Sequence, residues 1–265
     1  MRHDQTTTTT DGTTIAWSRT GGSGSPVILV HGITESAASF DPLLDRLGDH
    51  DVITMDLRGH GESGTADNYD LGAMAGDVVA VMLAADVGDP HLVGHSLGGA
   101  VVSAVGAAAP VASVVDIDQS LQLGGFKEML MPAEPMLRDP DQYHLVVEGM
   151  FDAMMGDRLD PDEVARLSAL RRPDHDVVTG VWDLILTEPI ATIEATVDGA
   201  LDAYRGRSVP YLALFGIDPG PGYAEWLADK IAGSRVEVWD GAGHYPHLVD
   251  PDRFVNTLEE FWAAG

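Results

Sequence analysis

The sequence places one serine inside a run of glycines, in an arrangement that could present its hydroxyl as a nucleophile. Residues 93–100 read VGHSLGGA and follow directly on a short apolar run. Glycine tolerates bends and close approaches that any Cβ would block, so glycines on both sides of Ser96 indicate a sharp turn. A strand, a G-x-S-x-G turn and a helix of small residues lift a serine hydroxyl above a sheet. Free serine is a weak nucleophile at neutral pH, so this interpretation requires a base within hydrogen-bond reach.

Apolar runs and helical spacings alternate along the chain and predict the elements that must hold this serine. Strands that alternate with helices favour an α/β fold, with a mostly parallel sheet covered on both faces and chemistry at the carboxyl ends of the strands. The predicted strands are 13–18, 26–30, 51–56, 91–94, 111–117, 209–216 and 235–239, and the predicted helices are 38–47, 71–85, 97–109, 223–231 and 251–262.

The alternation stops in the middle of the chain. From residue 118 to about residue 207 the strand signals fade, prolines recur, and helical patches such as 161–170 stand between them. The sequence therefore predicts an α/β core made of residues 1–118 and 208–265, with a helical cap inserted at residues 119–207.

Four separated motifs have the order and spacing of one known family. They are VILVHGI at 27–33, DLRGHGES at 56–63, GHSLGG at 94–99 and GAGHYPHLVDPDRF at 241–254. With these motifs the chain resembles the α/β-hydrolase superfamily over nearly its whole length. The resemblance implies the α/β-hydrolase fold, with a mostly parallel eight-stranded sheet and helices on both faces.

The resemblance also implies a catalytic base near the end of the chain. His244, in the glycine-bordered loop after the last predicted strand, stands where the family has its catalytic histidine. His247 is the nearest competitor and is interpreted as structural. His31 and His95 are expected to pack beside the site.

The acid that orients the base has two candidates. The usual family pattern puts an aspartate three residues after the glycine that ends the seventh strand, but here Asp218 follows Gly216 by two residues and a proline stands at the third position. A one-residue-shorter loop would restore the pattern, so Asp218 is the preferred triad acid. Some relatives take the acid from the end of the sixth strand, where this chain has Asp118, so Asp118 stays open as the alternative.

Attack on an acyl carbon creates an oxyanion, which needs hydrogen-bond donors aimed at it in advance. The backbone N–H of Leu97, directly after the nucleophile, is one candidate donor. The resemblance places the other on Ile33, with Gly32 permitting the turn that presents it.

Methionines and aromatic residues collect in the predicted cap. Met150, Met154 and Trp182 are candidate substrate-binding residues, because flexible apolar side chains accommodate varied hydrophobic groups. The alternative interpretation is simple packing between cap helices.

These residues together predict a serine hydrolase that cleaves an apolar carboxylic ester through an acyl-enzyme on Ser96. Several alternatives use the same triad: lactone hydrolysis, including macrolactones, carbon–carbon bond hydrolysis and perhydrolysis. A slow-turnover ligand sensor is an alternative of another class. Substrate class distinguishes the enzymes, and negligible turnover would indicate the sensor.

Composition narrows the partners. The chain has 42 acidic and 15 basic residues, for a formal net charge of −27. Nucleic acid is not expected as a partner, because phosphate binding needs a basic stripe. No membrane span, metal, cofactor or export signal is predicted, so the expectation is a soluble, cytoplasmic protein acting on a small-molecule ester or lactone. The acidity fits either a solubility bias or adaptation to high salt, and the oligomeric state is left open.

Overall fold

A computed structural model describes residues 3–264 and contains one eight-stranded sheet. In chain order the strands are β1 (Gln5–Thr8), β2 (Thr14–Arg19), β3 (Pro26–Val30), β4 (Asp51–Met55), β5 (His91–His95), β6 (Ser113–Ile117), β7 (Tyr211–Phe215) and β8 (Arg235–Val238). Across the sheet they lie in the order β1-β2-β4-β3-β5-β6-β7-β8. The β1–β2 and β2–β4 pairs are antiparallel and the other pairs are parallel. This confirms the predicted α/β fold with its mostly parallel eight-stranded sheet.

The central strands are apolar on both faces because helices cover both sides. In β3, Val27 and Leu29 belong to one apolar cluster while Ile28 and Val30 belong to another. Successive side chains of a strand point to opposite faces, so a continuous apolar run is what a doubly covered strand requires. The two clusters are the two layers of the core.

The helices outside the middle segment divide between these layers. Helices α2 (Leu71–Ala84), α3 (Leu97–Ala108) and α11 (Tyr223–Lys230) pack on one face of the sheet. Helices α1 (Asp41–Leu44) and α13 (Pro251–Ala264) pack on the other face, and the short α12 (Pro246–Val249) precedes α13.

A helical segment, residues 124–204, connects β6 to β7. Its own apolar cluster includes Trp182 and also takes in Ile33 and Leu97 from the sheet side. These helices therefore lie against the loops that follow β3 and β5. They are α4 (Gly124–Leu130), α5 (Glu134–Leu137), α6 (Tyr143–Met154), α7 (Pro161–Leu170), α8 (His175–Val181), α9 (Asp183–Thr187) and α10 (Ile190–Leu201), with 3₁₀ turns at Met131–Ala133 and Asp202–Tyr204.

Two elements differ from the sequence prediction. The threonine-rich β1 was not predicted, because its residues are mostly exposed and it pairs only along the edge of the sheet. The helix predicted at 38–47 is instead a 3₁₀ turn at Ala37–Phe40 followed by the short α1. Pro42 has no N–H group and fits only the first turn of a helix, so it starts a new helix there.

The helical segment lies inside the predicted cap bounds of 119–207. The predicted core bounds reach residues 1 and 265, which lie outside the described residues. Within residues 3–264, every helix is too short or too polar to cross a membrane.

Candidate active site

Ser96 stands at a strained turn between β5 and α3. Its φ is 52° and its ψ is −124°, a left-handed conformation that costs energy for any residue with a Cβ. A Cβ at position 94 would collide with the Gly98 carbonyl, and a Cβ at position 98 would collide with the carbonyl of Val30. Close backbone packing therefore requires glycine at positions 94 and 98, two residues before and two residues after Ser96.

The backbone on both sides fixes this turn. The Ser96 N–H donates to the carbonyl of Ile117 at 2.9 Å, and the Ser96 carbonyl accepts from the Gly99 N–H at 2.7 Å. Ser96 is the residue before the first turn of α3, whose positive end favours negative charge. A negative charge that develops near Oγ is therefore stabilised by this geometry.

His244 and Asp118 form a buried pair beneath the helical segment. Their Nδ1 and Oδ2 atoms are 2.7 Å apart, and each side chain is 3 % exposed. The other oxygen of Asp118 accepts from the N–H groups of Gly216 at 2.7 Å and Ile217 at 3.0 Å. The opposite ring nitrogen, His244 Nε2, is buried with no hydrogen-bond partner among residues 3–264. The imidazole is thus oriented at one nitrogen and free at the nitrogen that would accept a proton.

Asp218, the preferred acid from the sequence, does not reach His244. Its side chain is exposed and accepts a hydrogen bond from Gly220 N at 2.9 Å, within its own turn. The chain leaves β7 pressed against the His244 loop, because a Cβ on Gly216 would collide with the carbonyl of Gly243. At that place the chain offers backbone N–H groups rather than a carboxylate, and the sixth strand supplies the carboxylate through Asp118. The structure therefore pairs His244 with Asp118, the alternative acid, and not with Asp218, the preferred one.

Burial sets the protonation of the imidazole. It lowers the pKa of His244 below the ordinary histidine value, Asp118 partly opposes this, and the charge of nearby His95 adds to it. A lowered pKa leaves the ring neutral at pH 7, which is the form a general base needs.

A second buried carboxylate supports the His244 backbone. His95 Nε2 donates to the His244 carbonyl at 2.8 Å, while its Nδ1 lies 3.5 Å from Glu35. The Tyr245 hydroxyl donates to the other oxygen of Glu35 at 2.6 Å. Burial alone would raise the pKa of Glu35, but His95 and Tyr245 outweigh it and the pKa lies below its usual range. Sequence reasoning missed Glu35, whose signal was an acid just after the HG turn.

His247 packs in the same cluster but touches no acid. Its ring lies 4.8 Å from that of His95, and burial lowers its pKa well below the ordinary value. Neither of its ring nitrogens has a hydrogen-bond partner within residues 3–264. Its place agrees with a packing role.

The loop after β3 runs directly past the serine. A Cβ on Gly32 would lie 3.2 Å from the Ser96 Cβ. Two neutral histidines hold the loop: His31 Nδ1 donates to the Gly32 carbonyl at 2.7 Å, and His60 Nε2 accepts from the Thr34 N–H at 3.1 Å. Burial lowers the pKa of both rings, that of His60 to about 4.

The candidate oxyanion donors lie on this loop and at the start of α3. The side chains of Ile33 and Leu97 belong to the same apolar cluster, so these residues offer polar groups only through their backbone. Neither backbone N–H has an acceptor within residues 3–264. Both are therefore available to a ligand oxygen.

The helical segment closes over this loop and over the imidazole. Trp182 is buried in the cluster that contains Ile33, and Met150 packs on that cluster. The Met154 carbonyl accepts from the His244 N–H at 2.8 Å, and the Met154 and Met150 side chains line an apolar cavity of about 180 Å³. Phe151, which sequence reasoning did not select, lies with its ring centroid 5.9 Å from that of His244.

Residues 3–264 hold no group of three or more His, Asp or Glu side chains placed to bind a metal ion.

Several known proteins that this chain resembles are hydrolases. The model of the alpha/beta hydrolase family matches residues 27–257. The chain is 39% identical to a 2-(acetamidomethylene)succinate hydrolase of Mesorhizobium japonicum over 254 residues, which cover 91% of this chain and 88% of that protein. It is 30% identical to a pimeloyl-[acyl-carrier protein] methyl ester esterase of Neisseria meningitidis, with coverage of 89% and 92%. The structure of an esterase from a Rhodococcus species superposes with a TM-score of 0.71 at 26% identity, covering 98% of each chain.

Proposed function

Since the chain belongs to the alpha/beta hydrolase family, we propose that it hydrolyses carboxylic esters through an acyl-enzyme formed on Ser96. The observation that carries this proposal is the buried imidazole of His244. One of its nitrogens is bonded to Asp118 and the other has no hydrogen-bond partner among residues 3–264, while Ser96 is held in a strained turn at the end of β5. Esterases among the similar proteins support the same reaction class.

In the first half-reaction the Ser96 Oγ attacks the ester carbonyl carbon and gives its proton to His244 Nε2. The carbonyl oxygen becomes an oxyanion, which accepts from the backbone N–H groups of Ile33 and Leu97. When the C–O bond to the leaving group breaks, the departing oxygen takes the proton from His244 and leaves as an alcohol. Ser96 is then esterified.

In the second half-reaction His244 takes a proton from water, and the resulting hydroxide attacks the acyl carbon. The tetrahedral intermediate collapses, Ser96 Oγ recovers a proton from His244, and the carboxylic acid is released. Asp118 holds the imidazole in the tautomer that has its lone pair on Nε2 and stabilises the imidazolium of each intermediate.

The helical segment is proposed as a cap that shapes the acyl or alcohol pocket. Its apolar cluster meets the oxyanion loop at Ile33, and an apolar cavity opens beside Met150 and Met154. The contact of this cluster with Ile33 supports an apolar part in the substrate, as expected from the methionine content.

Hydrolysis of an acylated amine is a second candidate. The relative with 39% identity is named as a 2-(acetamidomethylene)succinate hydrolase, and the acetyl group of that compound is joined to nitrogen. The same atoms would act, with His244 protonating the departing nitrogen. The lactone, carbon–carbon and perhydrolysis alternatives also share this geometry and stay predictions.

A substrate panel tests the proposal. Wild type, Ser96→Ala and Ser168→Ala are assayed on 4-nitrophenyl esters of short and long acids, lactones and N-acetyl enamines. The expected result is ester turnover that Ser96→Ala lowers by at least about 10⁴-fold. Ser168, an exposed serine of α7, serves as the control, and its variant should match wild type. Full activity in Ser96→Ala, or no turnover by wild type, would overturn the proposal.

A further inference from the structure

One buried cation near the site has two of its three guanidinium nitrogens without a hydrogen-bond partner among the described residues. Arg171 is 8 % exposed, and its Nε and Nη2 atoms are buried without a hydrogen-bond partner within residues 3–264. Its Nη1 pairs with Asp152 at 2.9 Å, but the Asp152 side chain is 70% exposed to solvent. Burying charged donors without acceptors is costly, so these donors need a partner such as water or a ligand.

Arg171 stands between the two loops that carry the proposed chemistry. Its guanidinium lies 5.0 Å from the ring centroid of Phe151, and that ring in turn packs toward His244. The next residue, Arg172, donates its backbone N–H to the Thr34 carbonyl at 2.8 Å, which ties this segment to the oxyanion loop. Burial and the charge of Glu35 raise the pKa of Tyr245, and both the charge and the side chain of Arg171, which lie beside the Tyr245 hydroxyl, oppose that rise.

Glu35 is the buried carboxylate of this neighbourhood; its Oε1 accepts from the Tyr245 hydroxyl, and its Oε2 is buried without a hydrogen bond among the described residues. Its two oxygens face the Tyr245 hydroxyl and the His95 ring. Among the described side chains, Arg171 forms its ion pair with Asp152 alone. The free donors of Arg171 are therefore not explained by Glu35.

The two free nitrogens form one edge of the guanidinium. Nε and Nη2 point their N–H bonds in parallel, and this fork matches the two oxygens of a carboxylate. Because the whole chain is strongly negative, an anionic group entering here needs a dedicated cation.

We infer that Arg171 binds a free carboxylate of the substrate, so that the preferred substrate is an ester or amide with a second, ionised carboxyl group. This inference rests on the proposed function. It adds to the reaction a charged recognition point that the apolar cap pocket alone would not provide.

A pair of matched esters tests the inference. The mono(4-nitrophenyl) esters of succinic, glutaric and adipic acids carry the carboxylate at three distances, and 4-nitrophenyl butyrate carries none. The readout is the ratio of kcat/KM for the best acidic ester to that for the butyrate. We expect Arg171→Gln to lower this ratio by about 10- to 100-fold, mainly through KM, as for loss of a charged hydrogen bond.

Two further variants keep the test decisive. Arg172→Gln is the matched control, because the Arg172 side chain is exposed and bonds only to nearby carbonyls. It should leave the ratio unchanged. Arg171→Lys keeps the positive charge but loses the two parallel N–H donors, so it should give an intermediate ratio. It serves as the test variant if Arg171→Gln does not fold. An unchanged ratio in a folded Arg171 variant would overturn the inference.

Binding separates this inference from the proposed function. Calorimetric titration of glutarate into Ser96→Ala requires no turnover. We expect binding that is lost in Ser96→Ala/Arg171→Gln and kept in Ser96→Ala/Arg172→Gln. Glutarate binding that is equally strong with and without Arg171 would contradict the inference, even if esters are hydrolysed. Absence of ester turnover with Arg171-dependent binding would instead contradict the proposed function alone.

Discussion

The carboxyl edge of the sheet and the helical segment build the site in different ways. At the sheet edge, three non-glycine residues have left-handed backbones: Thr34 after β3, Ser96 after β5 and Asp118 after β6. Within residues 124–204 no non-glycine residue has a positive φ. Backbone strain that the surrounding structure maintains is typical of functional sites, so these three positions support the proposed site at the sheet edge.

The helical segment instead contributes side chains with more freedom. Met129, Met131 and Leu145 are exposed there, and methionines line its apolar cavity. Methionine adapts its shape to different neighbours. In the proposed function, backbone geometry at the strand ends sets the reaction, whereas side chains of the helices set which substrates are accepted.

The largest expected effect separates the two candidate acids. Asp118→Asn should lower kcat/KM by about 10⁴-fold, because the imidazole loses its orienting carboxylate. Asp218→Asn should change it less than about threefold, because Asp218 is exposed in its own turn. Steady-state kinetics on one ester measure both variants, and a larger loss in Asp218→Asn would refute the assignment.

Glycine substitutions compare the rigidity of the two regions. Gly98→Ala should lower the free energy of unfolding by about 4 kcal/mol or more, because the new Cβ collides with the backbone of β3. Gly149→Ala in α6 meets open space and should raise it by about 0.5–1 kcal/mol. Urea denaturation checks both. Equal effects would remove the distinction between the regions.

Methionine truncation tests the pocket role of the helices. Met150→Ala should change the ratio of kcat/KM for long and short acyl esters by about 10-fold, because it enlarges the apolar cavity that it lines. Met136→Ala, in exposed α5, is the matched control and should leave the ratio as it is. A ratio that Met150→Ala does not alter would reduce Met150 to a packing residue.

The pH profile tests the electrostatics of the base. Because the pKa of His244 is lowered, kcat/KM should stay level from pH 8 to about 6.5 and fall only below that value, where the base becomes protonated. An acid limb above pH 6.5 in wild type would contradict the burial effect.

Much of this molecule was predictable from local sequence. The run of β3, the bounds of α7 and the glycine-flanked serine all depend on neighbours within a few positions. The overall fold followed from their alternation. The edge strand β1 was not predicted, because its sequence has no apolar pattern.

What the sequence did not reveal depends on contacts between distant residues. Asp118 and His244 are separated by 126 positions, and Glu35 and Tyr245 by 210. The spacing after β7 favoured Asp218. In the structure, however, the backbone at Gly216 donates its N–H to Asp118, and Asp118 is the residue that pairs with His244. The free edge of Arg171 likewise follows from burial, which spacing alone does not give.

The most direct test of the central claim is the covalent intermediate itself. Wild type mixed with a 4-nitrophenyl ester is quenched in acid within the first turnover, digested and weighed by mass spectrometry. We expect the peptide containing Ser96 to gain the mass of the acyl group minus one hydrogen, and the corresponding peptide of Ser96→Ala to keep its mass. An acyl group on any other residue, or rapid turnover with no acyl-enzyme and an active Ser96→Ala, would contradict that claim.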